Sequence, residues 1–173
     1  MGWLPFGSKK AHAPIQPDEL PVPTCLKPYF VPDVGKCSMT ELAGGIRCSC
    51  GANSFRAISS EEPGLRYRLC CTGCGQDVLL FDAWQHGWDA LVCSVLPEEE
   101  AVPEHAESCG KCGGDAFRAD VWVEPVEREE FVSDIPEGLT EADWVNAYTW
   151  FAATLTCARC GRRVRDWADV ETG

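Results

Sequence analysis

Alternating hydrophobic and polar side chains predict a small antiparallel unit in the first half of the chain. Residues 65–71 alternate, so that one strand face carries Tyr67, Leu69 and Cys71 and the other carries Arg66, Arg68 and Cys70. A strand is also expected at 54–59, before the turn signal Glu61-Glu62-Pro63-Gly64, and another at 78–81. The pattern therefore predicts a three-stranded antiparallel sheet in this part of the chain.

The second half contains a longer alternating segment. Tyr148, Trp150, Ala152 and Thr154 alternate and predict a strand that runs to Cys157. Ahead of it, the stretch 140–144 is typical of a capped first helical turn. Trp144, Tyr148 and Phe151 would also suit one continuous helical face. We favour a short helix near 140–147 and then a strand, because an internal repeat requires a strand before Cys157.

That repeat covers two cysteine pairs and one strand. Cys50-Gly-Ala-Asn-Ser-Phe-Arg-Ala aligns without a gap with Cys112-Gly-Gly-Asp-Ala-Phe-Arg-Ala. Cys71-x-x-Cys74-Gly likewise aligns with Cys157-x-x-Cys160-Gly, and the second copy carries 24 additional residues inside its hairpin. Agreement over this many positions indicates an internal duplication.

The cysteine spacing predicts two metal sites. Two close cysteine pairs joined by a hairpin supply four thiolates, which is the environment of closed structural zinc sites. The predicted ligands are Cys48, Cys50, Cys71 and Cys74 in the first copy and Cys109, Cys112, Cys157 and Cys160 in the second. The Cys-x-Cys pair of the first copy is unusual, and Cys70 could replace one ligand there. We expect two zinc ions per chain, with a rubredoxin-like iron as the alternative. A redox Cys-x-x-Cys pair is disfavoured, because such motifs usually occur singly beside a helix N-terminus.

Disulfide bonds are the competing explanation for twelve cysteines. Residues 1–10 lack the long apolar stretch of a signal peptide, and no segment has transmembrane length. We therefore expect a reducing, cytoplasmic location, where paired cysteines more often bind metal. The sequence suggests no role for Cys25, Cys37 or Cys93.

The cysteine knuckles and hairpins resemble the zinc-ribbon group. The resemblance covers most of residues 48–83 and, around the insertion, 109–169. It implies a small β-rich fold of tandem zinc ribbons, each with a knuckle pair on a three-stranded antiparallel sheet. It also implies structural metal and a role in binding nucleic acids or proteins. More broadly, the chain looks like small bacterial proteins with ribbon knuckles.

Composition and proline placement divide the chain into four parts. We predict a flexible Pro-rich tail at 1–24, a first zinc-ribbon unit with an N-terminal loop at 25–96, an acidic linker at 97–107, and a second unit with a helical insert at 108–173.

The charge favours a protein partner over a nucleic acid. A formal net charge of −12 repels phosphate backbones unless the few cations are clustered. One such cluster exists, and we call it the arginine tip: Arg159, Arg162, Arg163 and Arg165. Our leading hypothesis is a non-enzymatic protein-interaction module, and its acidity suits a basic partner. Nucleic-acid binding through the arginine tip is the alternative.

One further cluster contains residue types used in catalysis. His86-Gly87-Trp88-Asp89 follows Asp82, and a histidine near carboxylates can act as a general base. We favour a tight turn with a packed Trp88, because no nucleophile or second histidine lies nearby in the sequence. A hydrolase-type enzyme centred on His86 remains a further alternative. His105 could replace a thiolate of the second site, but the cysteine count there is already complete.

Overall fold

The computed structural model describes residues 17–61, 65–92 and 102–172 and shows a small, β-rich protein with a curled antiparallel sheet. The nine strands of this described part are β1 (Phe30–Pro32), β2 (Leu42–Ile46), β3 (Phe55–Ser60), β4 (Arg66–Cys71), β5 (Asp77–Asp82), β6 (Glu104–Ala106), β7 (Phe117–Pro125), β8 (Tyr148–Cys157) and β9 (Arg163–Glu171). Two short α-helices, α1 (Trp88–Val92) and α2 (Arg128–Ser133), and 3-10 helices at Pro17–Glu19 and Glu141–Asn146 complete the described elements.

Two antiparallel three-stranded units have the same register at their cysteine ends. In β3–β4–β5 the first residue of β3, Phe55, lies opposite Cys71, the last residue of β4. In β7–β8–β9 the corresponding residues Phe117 and Cys157 lie opposite each other. The second strand of each unit therefore delivers a cysteine to the same end of its hairpin.

The two units exchange strands with each other. Phe55 and Phe117 pair antiparallel at the junction. β2, which precedes the first cysteine pair, joins the second unit with Gly45 opposite Asp120. β6, which precedes the second cysteine pair, joins the first unit with Ala106 opposite Ile58. Each unit is thus completed by a strand from the other half of the chain.

One main hydrophobic core runs through both units. Inward-facing positions of each sheet are fully buried, as the alternating burial of β4 and β8 shows. The rings of Phe81 and Phe151, one from each unit, stack with centroids 5.4 Å apart. Tyr67 and Trp167 meet edge-to-face at 5.2 Å across the same boundary. The same core includes cysteines of both clusters, so the shared packing holds both clusters in place.

The chain between β7 and β8 forms a separate small layer. α2 and the 3-10 helix at Glu141–Asn146 pack over a second cluster of Val126, Phe131 and Ala147. Thr140 and Asp143 form a capping box at the start of the 3-10 helix. A short helix predicted near 140–147 is therefore present as a 3-10 helix, whereas α2 has no counterpart in the sequence prediction.

Two predicted segments lie partly outside the described residues. Of the tail predicted at 1–24, residues 17–24 are described, and Leu20 there is buried in the main core. Of the linker predicted at 97–107, residues 104–106 form β6. No helix among the described residues is long and apolar enough to cross a membrane.

Candidate metal centres

The second cysteine cluster is built by two tight backbone turns. The Cys109 carbonyl accepts a hydrogen bond from the N–H of Gly113 at 2.8 Å, and the Cys157 carbonyl accepts one from the N–H of Gly161 at 3.0 Å. Both glycines have a positive φ, 67° and 72°, which disfavours other residues at these positions. The turns direct Cys109, Cys112, Cys157 and Cys160 toward a common point.

The first cluster has one turn of the same length and one turn that is a residue shorter. The Cys48 carbonyl accepts a hydrogen bond from the N–H of Gly51 at 2.8 Å, and the Cys71 carbonyl accepts one from the N–H of Gly75 at 2.9 Å. Cys48, Cys50, Cys71 and Cys74 converge in spite of the Cys-x-Cys spacing. Cys50 and Cys74 are exposed, whereas the corresponding Cys112 and Cys160 are half-buried.

The sulfur separations fit a tetrahedral metal ion. All four sulfurs of each cluster lie within 4.8 Å of one another. The closest pairs are Cys48–Cys74 at 3.5 Å and Cys50–Cys71, Cys109–Cys160 and Cys112–Cys157 at 3.6 Å. A zinc–sulfur bond of about 2.3 Å places tetrahedral sulfurs about 3.8 Å apart, whereas a disulfide needs about 2.05 Å. Every described cysteine is free, so each cluster is a set of four thiols that could hold a metal ion.

The thiols of each cluster differ in acidity. The backbone N–H of Cys50 lowers the pKa of Cys48 to about 6. The N–H of Lys111, assisted by that of Cys112, lowers the pKa of Cys109 to about 6. The N–H of Gln76 lowers the pKa of Cys74, but the neighbouring thiols outweigh it and raise that pKa to about 12. Four thiolates at this distance repel each other, and a bound dication would remove that repulsion.

Three described cysteines lie outside both clusters. Cys70 faces away from the first cluster, and its sulfur contacts Arg56 Nη2 at 3.5 Å and the Gly75 carbonyl at 3.6 Å. The Cys37 thiol donates to the Ala43 carbonyl at 3.2 Å. Burial raises the pKa of Cys25 to about 11. Cys93 lies outside the described residues, and the exposed His105 pairs with Ser59 in the sheet and belongs to neither cluster.

Sequence reasoning missed the polar contacts around the first cluster. Ser49 Oγ donates to Gln76 Oε1 at 2.6 Å, and the same oxygen lies 3.6 Å from the Cys48 sulfur. Gln76 Nε2 donates to the Tyr29 hydroxyl at 2.7 Å. These contacts connect the cluster to the N-terminal segment before β1. The only sequence signal was that Gln76 follows the Cys74-Gly75 turn.

His86 and Asp82, which we call the histidine cluster, are both buried and form hydrogen bonds within the protein. His86 is 9% exposed, and its Nδ1 accepts a hydrogen bond from the Asp82 backbone N–H at 3.0 Å. Burial lowers the pKa of His86. The Asp82 carboxylate accepts from Arg66 Nε at 2.8 Å and from the Trp84 N–H at 3.0 Å. The structure therefore gives both side chains partners within the turn that follows β5.

The arginine tip lies beside the second cluster. Arg159, Arg162, Arg163 and Arg165 are all exposed. Arg159 Nη1 approaches the Cys112 carbonyl at 3.4 Å. No salt bridge found among the described residues includes an arginine of the tip.

Comparison of the chain with protein-family models, with curated proteins and with solved structures finds no match.

Proposed function

We propose that the chain is a structural zinc protein made of two duplicated zinc ribbons, and that it acts as a non-enzymatic protein-interaction module for a basic partner. The observation that carries the first part is the convergence of two four-cysteine clusters, in each of which all four sulfurs lie within 4.8 Å of one another. The identical pairing of Phe55 with Cys71 and of Phe117 with Cys157 supports a duplication. Thiolate ligands and a closed, protein-only set of donors favour zinc over harder metals.

The interaction role rests on the net charge of the chain and on the internal hydrogen bonds of His86 and Asp82. The formal net charge is −12, which attracts basic surfaces over distances of about a Debye length. His86 and Asp82 are buried and already hydrogen-bonded, so they give no support to the hydrolase alternative.

Quantitative pull-down from native cytosol tests this role. The zinc-loaded chain is the bait, and the same chain stripped of metal and thiol-alkylated is the control bait. We expect a reproducible basic protein that the zinc-loaded bait enriches and that is lost at high salt. If no protein is reproducibly enriched over the control bait, the interaction role is wrong.

Nucleic-acid binding is the second candidate, and the exposure of the arginine tip favours it. Gel-shift titration with a mixed-sequence duplex and a single strand tests it. Binding that weakens steeply with salt and is lost in Arg162→Gln/Arg163→Gln would support this alternative. Absence of a shift at low salt would remove it.

A further inference from the structure

The segment between β7 and β8, which we call the insertion of the second unit, forms one side of a pocket. A cavity of about 390 Å³ lies between the turn before β2 and the start of α2. Its lining consists of Met39, Thr40, Glu127, Arg128, Glu129 and Trp144. α2 and the 3-10 helix at Glu141–Asn146 both lie between Cys112 and Cys157, an interval 24 residues longer than the one between Cys50 and Cys71. A single-copy insertion on a duplicated scaffold is where a specific function is expected to reside.

The insertion also concentrates the negative charge of the protein. Residues 126–147 contain seven carboxylates and one arginine, a net charge of −6 within the chain total of −12. That arginine, Arg128, forms a salt bridge with Glu141. Glu127 and Glu129 take part in none of the salt bridges found among the described residues. Two glutamates therefore line the pocket, and among the described residues neither forms a salt bridge with Arg128, which lines the same pocket.

The other lining residues are the apolar Met39, the aromatic Trp144, Thr40 and Arg128. Met39 is 43% exposed, and Trp144 is half-buried against the second core cluster. An indole face beside carboxylates suits a cation with an aliphatic stem, because the stem packs on apolar surface while the charged group meets the ring and the carboxylates. An anion or a nucleic-acid phosphate is disfavoured by the same charges.

The walls of the pocket are held in place without a ligand. In the turn before β2, the Ser38 N–H donates to the Glu41 carbonyl at 2.7 Å, and Trp122 Nε1 donates to Glu41 Oε1 at 2.9 Å. On the other side, the Thr140–Asp143 capping box and the Arg128–Glu141 pair fix the 3-10 helix against α2. Fixed walls lower the entropic cost of binding.

We infer that this pocket binds an arginine or lysine side chain from a basic segment of a protein partner. The carboxylates of Glu127 and Glu129 bind the cationic group, and Met39 and Trp144 contact its stem. This inference rests on the proposed interaction role and assigns that role to the insertion, away from both cysteine clusters.

The probe is a fluorescein-labelled nonapeptide of alternating glycine and arginine, and its control peptide carries uncharged citrulline in place of each arginine. Both are titrated against the zinc-loaded full chain by fluorescence anisotropy. Glu127→Gln/Glu129→Gln removes the two pocket carboxylates. Glu130→Gln/Glu137→Gln removes the same charge from exposed insertion residues outside the pocket lining and serves as the matched control. Circular dichroism and zinc content confirm that each variant folds.

We expect the pocket variant to weaken arginine-peptide binding about tenfold or more, because it removes the two charged hydrogen-bond acceptors assigned to the peptide cation. The control variant should weaken it no more than about threefold, as a screened surface effect does. In a two-dimensional NMR spectrum, the indole N–H signal that is missing in Trp144→Phe should shift on titration of the wild-type chain.

Equal losses in the two variants, equal binding of the citrulline peptide, or a Trp144 indole signal that does not move would overturn the inference. Peptide-induced self-association, or competition by a peptide of residues 1–16, which contain Lys9 and Lys10, would assign the pocket to this chain itself and also overturn it. The pull-down separates the two proposals. If wild type and pocket variant capture the same basic partner equally, the interaction role stands and the role of the pocket is wrong. If the pocket binds the arginine peptide but no partner is captured, the pocket binds cations and the interaction role is wrong.

Discussion

Two adjacent cysteines at the end of β4 have opposite surroundings. Cys71 is buried and belongs to the first cluster, whereas Cys70 contacts Arg56 and the Gly75 carbonyl on the other face of the sheet. The alternation of the strand explains the difference, since neighbouring side chains point to opposite faces.

The pair gives a controlled test of metal binding. We expect Cys71→Ser to lower the zinc content from two ions to one per chain, because three thiolates and a hydroxyl are a poor closed site. Cys70→Ser should keep two ions and change the stability by less than about 1 kcal/mol. Elemental analysis of gel-filtered protein measures both. Loss of zinc in Cys70→Ser with retention in Cys71→Ser would show that Cys70 is the ligand.

His86 makes the stability depend on pH. Its pKa is lowered from the ordinary 6.5 because burial penalises the charged ring. The unfolded chain therefore binds more protons below about pH 6.5, and the free energy of unfolding falls as the pH drops through this region. The full contribution is present above the unfolded pKa.

Substitution by asparagine tests this dependence. In His86→Asn the amide oxygen can replace Nδ1 as acceptor for the Asp82 N–H but does not titrate. We expect the wild type to lose stability relative to His86→Asn between pH 7.5 and 5.5 in urea unfolding with zinc in excess. Acid loss of zinc affects both proteins alike. Parallel pH profiles would contradict the prediction.

At the scale of elements, β1 approaches β2 more closely than an ordinary strand pair allows. A Cβ on Gly44 would lie 2.4 Å from the Val31 carbonyl oxygen and 2.7 Å from the Phe30 ring. A Cβ on the adjacent Gly45 would lie no closer than 3.6 Å to any atom. Only Gly44 is thus needed for the contact between these strands.

We expect Gly44→Ala to lower the free energy of unfolding by about 1–3 kcal/mol, as overpacking does. Gly45→Ala should be neutral or stabilise by up to about 1 kcal/mol, because it restricts the unfolded chain. Denaturant unfolding of the two zinc-loaded variants measures the difference. Equal stabilities would mean that β1 can move away at little cost.

Elements that depend on local sequence patterns were predicted, whereas those that depend on contacts distant in sequence were not. β4 was predicted because its alternation is local and complete over 66–71. β1 and β2 were not, because Pro28, Pro32 and Gly44-Gly45 indicate loops, and Pro32 is tolerated only at the edge of the sheet. The cysteine clusters follow from spacing alone, since a knuckle is formed by its own backbone. The strand exchange depends on contacts distant in sequence, and no local pattern encodes it.

At the scale of the whole molecule, strand exchange makes the halves depend on each other. β2 completes the sheet of the second unit, β6 completes that of the first, and the main core contains residues from both. A fragment ending at residue 96 would leave the edge of β3 without β6, and the complementary fragment would leave β7 without β2.

We therefore expect fragments 1–96 and 97–173 to lack dispersed NMR spectra when alone, even with zinc. Mixed in equal amounts with zinc, they should form a 1:1 complex with the dispersion of the intact chain. Size-exclusion chromatography with light scattering gives the stoichiometry. A native-like spectrum from either fragment alone would show that its unit folds without the exchanged strand.

Unequal exposure of the two clusters determines the order in which metal should leave the molecule. Cys50 and Cys74 are exposed, whereas Cys112 and Cys160 are half-buried, so a chelator reaches the first site more easily. We expect zinc to be released to excess chelator in two phases of equal amplitude. The absorbance of a zinc-binding dye measures the release. Cys50→Ser should remove the fast phase, and the equivalent Cys112→Ser should remove the slow one.

Because both sites lie on one shared core, tryptophan fluorescence should change little in the fast phase and strongly in the slow phase, when the last metal constraint on the exchanged strands is lost. A single phase, or loss of the slow phase in Cys50→Ser, would show that exposure does not control metal release.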